Sequence, residues 1–231
     1  MNFCRSFLFV LVGLFQLIGC QWKTTEPETT DLNYFPLETG RYVVYDVQER
    51  QYTLNAAPLL QTYQLKEVVG QPYTDVTGQT AYRLMRFRRV SDSQPWQTDS
   101  VWSARIVNNE AIRTENGRDF VQLVFPISNQ LSWDGNRRNA LGLDTYTARN
   151  AGQFYRVQDK QFDQIVTVLG KNDSTLIAQT KHVAVYAQQV GLIYKEQINV
   201  QFCSSSPACI GHNQIDYGTQ QVYRIQAYGN Q

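Results

Sequence analysis

From Tyr34 to the end, the sequence is cut into short runs in which apolar and polar residues alternate, with turn residues between them. Alternation with a period of two places one set of side chains on each face of a strand, and one polar face marks antiparallel pairing. Residues 41–48 read RYVVYDVQ, with Val43, Tyr45 and Val47 on one face. Residues 61–69 group Tyr63, Leu65 and Val69, and residues 79–90 form a third run. In residues 96–107, Trp96, Trp102, Ala104 and Ile106 share a face opposite Asp99, Ser103 and Arg105. Asn108-Asn109-Glu110 reads as a turn, residues 111–115 pair back, and Asn116-Gly117 is a hairpin signal before residues 118–125. Residues 162–169 and 175–179 flank Gly170-Lys171-Asn172-Asp173, which reads as a turn, and residues 193–202 and 221–227 close the series. Residues 182–189 (HVAVYAQQ) read equally as a two-turn helix or a strand. These patterns predict an all-β domain: a curved antiparallel sheet, half-barrel-like or a barrel or sandwich, with at most one or two short helices.

Composition agrees. The chain has 26 Gln, 14 Tyr and 15 Arg but 6 Lys, long polar tips on bodies that can pack, which suits a sheet with one wet face. A formal charge of +1 over 231 residues excludes an electrostatic nucleic-acid binder, which needs a basic face, and a charge-driven disordered chain.

The first twenty residues carry the most specific motif. Residues 7–18 (FLFVLVGLFQLI) follow a single Arg5 and are apolar except for Gln16. A bilayer-spanning helix needs about 20 such residues, so this run fits the core of a secretory signal peptide. Leu17-Ile18-Gly19-Cys20 looks like a bacterial lipobox, in which the chain is cut before the cysteine and Cys20 is acylated. Removing Arg5 leaves equal numbers of basic and acidic side chains, so attachment to a membrane must come from the lipid chains, at about 0.8 kcal/mol per buried methylene. The expected organisation is a signal peptide over 1–19, the lipidated Cys20 and a flexible tether over 20–33, and one β domain over 34–231. The tether (QWKTTEPETTDLN after Cys20) is polar and rich in Thr, Glu and Pro.

Cys203 and Cys209 remain as a pair around Ser-Ser-Ser-Pro-Ala. Outside the cytoplasm the expected fate is a disulfide that pins a hairpin end. A metal site with His212 is the alternative; Asp216 and His182 are the candidates for a fourth ligand.

Tyr34-Phe35-Pro36-Leu37-Glu38-Thr39-Gly40-Arg41-Tyr42 resembles the opening of a broad group of bacterial envelope lipoproteins, especially from Bacteroidota. Phe125-Pro126-Ile127 with Ser132-Trp133-Asp134-Gly135-Asn136, and Val190-Gly191-Leu192-Ile193-Tyr194-Lys195-Glu196, are similar to two further markers of that group. The resemblance carries no catalytic residue. It implies a half-barrel-like sheet, as in lipoprotein-localisation factors, on the periplasmic or outer face of an outer membrane. The residues also have a direct physical reading. Pro36 fixes its φ, Gly40 supplies a turn, and Phe35 and Leu37 can plug an open end of the sheet; Trp133 is an apolar anchor for a turn.

No nucleophile elbow, zinc-protease helix motif or phosphate loop is present in the sequence, and His182 and His212 read as structural. Arg83, Arg86, Arg88 and Arg89 form the one local charge cluster. Alternation puts Arg83 and Arg89 on one face and Arg86 and Arg88 on the other. That predicts a bulge, a charged edge strand, or contacts to an anionic ligand. Trp96, Trp102 and Trp133 read as core, with sugar stacking as the alternative. The expectation is a non-enzymatic envelope lipoprotein without cofactor or metal, bound to the membrane through its lipid, whose β domain takes an apolar ligand or a partner protein. A glycan-active surface domain and a structural subunit of an envelope assembly are the alternatives.

Overall fold

The computed structural model describes residues 29–231. One helical turn, α1 (Thr29–Leu32), leads into twelve strands: β1 (Arg41–Tyr52), β2 (Leu59–Thr74), β3 (Thr80–Arg89), β4 (Gln97–Val107), β5 (Glu110–Glu115), β6 (Arg118–Val124), β7 (Ser132–Asp134), β8 (Thr145–Val157), β9 (Lys160–Ser174), β10 (Ala178–Ala187), β11 (Gly191–Phe202) and β12 (Ile215–Asn230). They form one sheet in the order β6-β5-β4-β3-β2-β1-β12-β11-β10-β9-β8-β7, and every paired neighbour is antiparallel. The all-β expectation holds, and the sheet curls into a nearly closed barrel.

Closure occurs where β6 and the end of β7 meet. The Val121 N–H donates to the Gly135 carbonyl at 2.9 Å, and the buried Trp133 indole N–H donates to the Val121 carbonyl at 3.0 Å. The β7–β8 loop clamps the same seam: Arg137 and Arg138 both pair with the buried Glu110, and the Asn139 amide donates to the Asp119 carbonyl at 2.7 Å. Trp133 is therefore the anchor its sequence context indicates.

Turn chemistry sets several hairpins. Asn108, Asn109, Asn116 and Gly117 all have positive φ, the requirement of two-residue hairpin turns whose twist matches the strands. At the other end of the chain, Tyr34 and Phe35 are buried in the core with Leu37 packed beside them, closing one mouth of the barrel. The plug begins earlier than residue 34. The Asp31 carboxylate accepts from the Ile127 N–H at 2.9 Å, the Asn33 carbonyl accepts from Gln189 at 2.7 Å, and Leu32 packs on the core, so 31–33 belong to the domain and not to a tether.

One open reading is settled and one expectation changes. Residues 182–187 are strand, within β10. Residues 170–173 lie inside β9, and the turn falls at Thr175-Leu176-Ile177 instead. Gly170 has a packing reason: a Cβ there would lie 2.9 Å from the Tyr146 ring and 3.0 Å from the His182 Cβ. β8 escapes the alternation pattern because its pairing with β9 breaks twice, between Arg149 and Gln153 and between Gln153 and Tyr155.

The sheet is buried on both faces along β9 and β10. Val166, Val168, Ala184 and Tyr186 join the core beneath the plug, with Leu84, Ala104, Ile112 and Leu123. Ile165, Val185 and Ala187 join a second core with Val157, Phe162, Ile193 and Ile225. The β8–β9 hairpin end seals this second core by folding over its neighbours: Gln158 donates to Asp46 at 3.0 Å and the Gln188 N–H to the Gln164 carbonyl at 3.0 Å.

Candidate functional site

The interior of the barrel is not purely apolar. On β2, the face formed by Leu65 and Val69 carries Glu67 between them. Glu67 stands directly opposite Arg86 of β3, and Arg86 opposite Ser100 of β4. Arg113 of β5 completes the group. Glu67 pairs with Arg113 and lies 3.6 Å from Arg86; Glu115 lies 3.2 Å from Arg113, and Asp99 3.4 Å from Arg86. Both guanidinium groups also lie against the Trp102 ring, with the Arg86 Cζ 3.6 Å and the Arg113 Cζ 4.7 Å from its centre. Cations over an indole face are attracted by its quadrupole, more strongly when desolvated. Among the described residues the Trp102 indole N–H has no hydrogen-bond partner.

The far wall supplies rings and one amine. Tyr45 donates to the Leu192 carbonyl at 3.0 Å and Tyr186 to the Gln122 side chain at 3.0 Å. Lys195 reaches over the Tyr223 ring at 5.5 Å. Burial raises the Tyr45, Tyr186 and Tyr223 hydroxyls above their ordinary range, so they stay protonated. Burial pushes the Lys195 ammonium down. For Arg113, burial acts downward, but Glu67 and Glu115 more than reverse it and hold the guanidinium charged. His182 stacks edge-on against Tyr146 at 5.0 Å, and burial, then Lys195, lowers it to about 4. It is a neutral interior ring at pH 7.

These groups fill the space. A cavity of about 70 Å³ remains beneath the plug, lined by Phe35, Leu37, Tyr42, Arg113, Tyr186 and Leu192. Another of about 20 Å³ lies between Trp102, His182 and Lys195. Sites for drug-sized ligands run to about 300–1,000 Å³. The larger depressions lie in open surface. One, of about 380 Å³, is lined by Asn136, Thr180, Gln197 and Asn199 together with Leu141, Leu143, Asp144, Lys171 and Lys181.

Cys203 and Cys209 are joined as a disulfide, as the spacing predicts, and their sulfurs are not available to a metal. Among the described residues, no group of three or more His, Cys, Asp or Glu is placed to hold an ion. Cys20 lies outside the described residues. The arginine cluster does not sit on an edge: β3 lies between β2 and β4, and the pairing with β4 slips between Arg86 and Phe87, the bulge alternative. Each guanidinium already has partners within the protein. Arg83 lies over Tyr73, Arg88 over Tyr63 with Gln61, and Arg89 over Trp96 with Gln64 and Asp92; Arg86 is in the interior stack. Trp96, Trp102 and Trp133 are likewise occupied by protein contacts. Glu67, Arg113 and Lys195 escaped the sequence reading. The available signal was a charged residue in register with an apolar face, Leu65-x-Glu67-x-Val69.

No family model matches the chain, and no curated protein matches it. Two solved structures are similar. One, from Bacteroides fragilis, is described as an exported protein with a YmcC-like fold; it is 13% identical, covers 84% of this chain and 98% of its own, and has a TM-score of 0.41. The other, described as a lipoprotein from Parabacteroides distasonis, is 11% identical, covers 85% of this chain and 98% of its own, and has a TM-score of 0.40.

Proposed function

We propose that this chain is a cell-envelope lipoprotein, anchored through Cys20, whose β domain recognises a partner with its outer surface and performs no chemistry of its own. The lipobox-like Leu17-Ile18-Gly19-Cys20 supports the address. The observation that carries the rest is the filled interior. Ion pairs and rings occupy the barrel and leave about 70 Å³, far less than an acyl chain or a sterol needs. Recognition is thereby moved to the outside of the wall. Two measurements test the reading. Labelled palmitate enters the wild type and not Cys20→Ala; equal incorporation in both removes the anchor. Native mass spectrometry of the cell-purified protein gives the mass of the lipidated chain alone; an additional co-purified lipid would restore the apolar-ligand alternative. A second reading, carbohydrate binding, draws on the groove whose amides and hydroxyls at Asn136, Gln197, Asn199 and Thr219 stand beside Asp144, Lys171 and Lys181. Oligosaccharide titration against Asn199→Leu tests it; identical heats for the variant and the wild type reject it.

A further inference from the structure

Strand direction sorts the hairpins into two ends. The plug, the β2–β3 turn and the paired Gly40 and Gln231 lie at one end. The β1–β2, β11–β12 and β9–β10 connections lie at the other, because Tyr52 is opposite Gly218, Gln201 opposite Tyr217 and Ala178 opposite Gln201. These three connections are neighbours along the sheet and span five strand spacings, about 24 Å. The β9–β10 and β11–β12 connections also touch: the Phe202 N–H donates to the Ile177 carbonyl at 2.9 Å, and the Leu176 methyl lies 3.8 Å from where a Gly211 Cβ would be.

This rim has an unusual composition. Residues 53–60 (TLNAAPLL), 174–178 (STLIA) and 203–215 (CSSSPACIGHNQI) contain no Asp, Glu, Lys or Arg. Yet Leu59, Leu60, Leu176 and Ile177 are each more than half exposed, with Leu54 and Ile210 close to that. Exposed apolar residues elsewhere are scattered: Val76 follows Asp75, Val90 follows Arg89 and Leu143 precedes Asp144, while Val101, Leu141 and Phe154 have uncharged neighbours in the chain. The charges nearest the rim are Arg50, opposite Leu60, and Asp173, just before Ser174. Tyr52 and Tyr217 flank the rim, where an amphipathic ring suits a boundary between apolar and wet surroundings. Much of the tip backbone is satisfied from within. Thr175 N–H bonds to the Ala178 carbonyl, the Ile177 and Ala178 N–H groups to the Thr175 hydroxyl, Ile210 to Ser206 and His212 to Cys209. Apolar tips that carry no charge themselves and pair much of their backbone internally are what a hydrocarbon boundary requires, since each unpaired polar group there is costly; the flanking Arg50 and Asp173 stand where the wet side of that boundary begins. Protein-binding surfaces, by contrast, are enriched in Arg as well as aromatics.

We propose that these three hairpin tips seat themselves in the surface of a lipid bilayer. The contact is hydrophobic and takes neutral, zwitterionic lipid. It does not depend on Cys20, which leads into the opposite end of the barrel.

The test uses the protein as purified from cells, with an environment-sensitive NBD label at Leu59→Cys or Ile177→Cys and a control at Val76→Cys, mixed with phosphatidylcholine vesicles. The expected result is a several-fold rise and blue shift of emission at both tip positions, quenched by nitroxide on the acyl chains. It is unchanged between about 0.1 and about 1 M salt and absent at Val76. Adding Leu59→Asp, Ile177→Asp and Ile210→Asp to a label at Leu60→Cys abolishes the shift. Vesicle clustering marks insertion into a facing membrane, and insertion without clustering marks the same membrane. Tip emission indistinguishable from that at Val76, or shielding that appears only when other proteins are added, overturns the proposal. Flotation of Cys20→Ala with the vesicles, read alongside, separates this outcome from failure of the anchor.

Discussion

The guanidinium carbon of Arg86 lies 3.6 Å from the centre of the Trp102 ring, in the interior of a β-barrel. Glu67 and Asp99 supply its counter-charge. Because Glu67 also pairs with Arg113, it is a carboxylate shared by two interior cations. Glu67→Gln therefore leaves charge uncompensated in a dry place and is expected to lower unfolding free energy by about 3–5 kcal/mol. Replacing Glu67, Arg86 and Arg113 together with Met should recover much of that loss. Urea denaturation of both variants checks the order.

Acid acts on the same interior. His182 is lowered to about 4 by burial and then by Lys195, against an ordinary value of 6.5. Between these values the unfolded chain takes up a proton that the native protein refuses. Stability therefore falls as pH drops from 6.5 toward 4, by on the order of 3 kcal/mol at the lower end. His182→Gln should flatten this limb, as seen by comparing thermal midpoints at pH 6.5 and 4.5.

Much of this was legible from residues 34–125, where Asn-Asn and Asn-Gly turns separate alternating runs, and from the plug residues Phe35 and Leu37. What was hidden has a common cause. β8 carries two register breaks that destroy its period of two, and Gly170 was read as a turn because a glycine kept clear for a ring on the next strand looks, in one dimension, like any other. The interior ion stack was hidden for a related reason. Alternation marks Glu67 and Arg113 as facing inward only if a charge is allowed there, and that depends on partners one and three strands away.

Tyr146 passes between two such glycines. A Cβ on Gly135 would lie 2.4 Å from its ring, and one on Gly170 2.9 Å. Neither glycine has a positive φ, so the cost of alanine is steric. Gly135→Ala is expected to destabilise by about 1–3 kcal/mol, and Tyr146→Leu in the same chain to relieve most of the clash. A double-mutant cycle measures the coupling.

The Cys203–Cys209 bridge closes a short loop at the apolar rim. In the chain-entropy model such a loop contributes about 2 kcal/mol. Cys203→Ser with Cys209→Ser should lose that amount while leaving the barrel folded. Reductant should lower the melting temperature of the wild type and not that of the double variant.

Around the wall each strand stands beside its successor in the chain, β12 returns to β1, and the Val121–Gly135 hydrogen bond joins the only pair left over. The molecule is thus a ring in sequence as well as in space, and its present start is one of several equivalent cutting points. Splicing residue 231 to the plug and reopening the chain at Asn116-Gly117 would keep every pairing yet bring the proposed lipid tether in at the opposite pole, which would invert the barrel relative to the bilayer it is proposed to sit on.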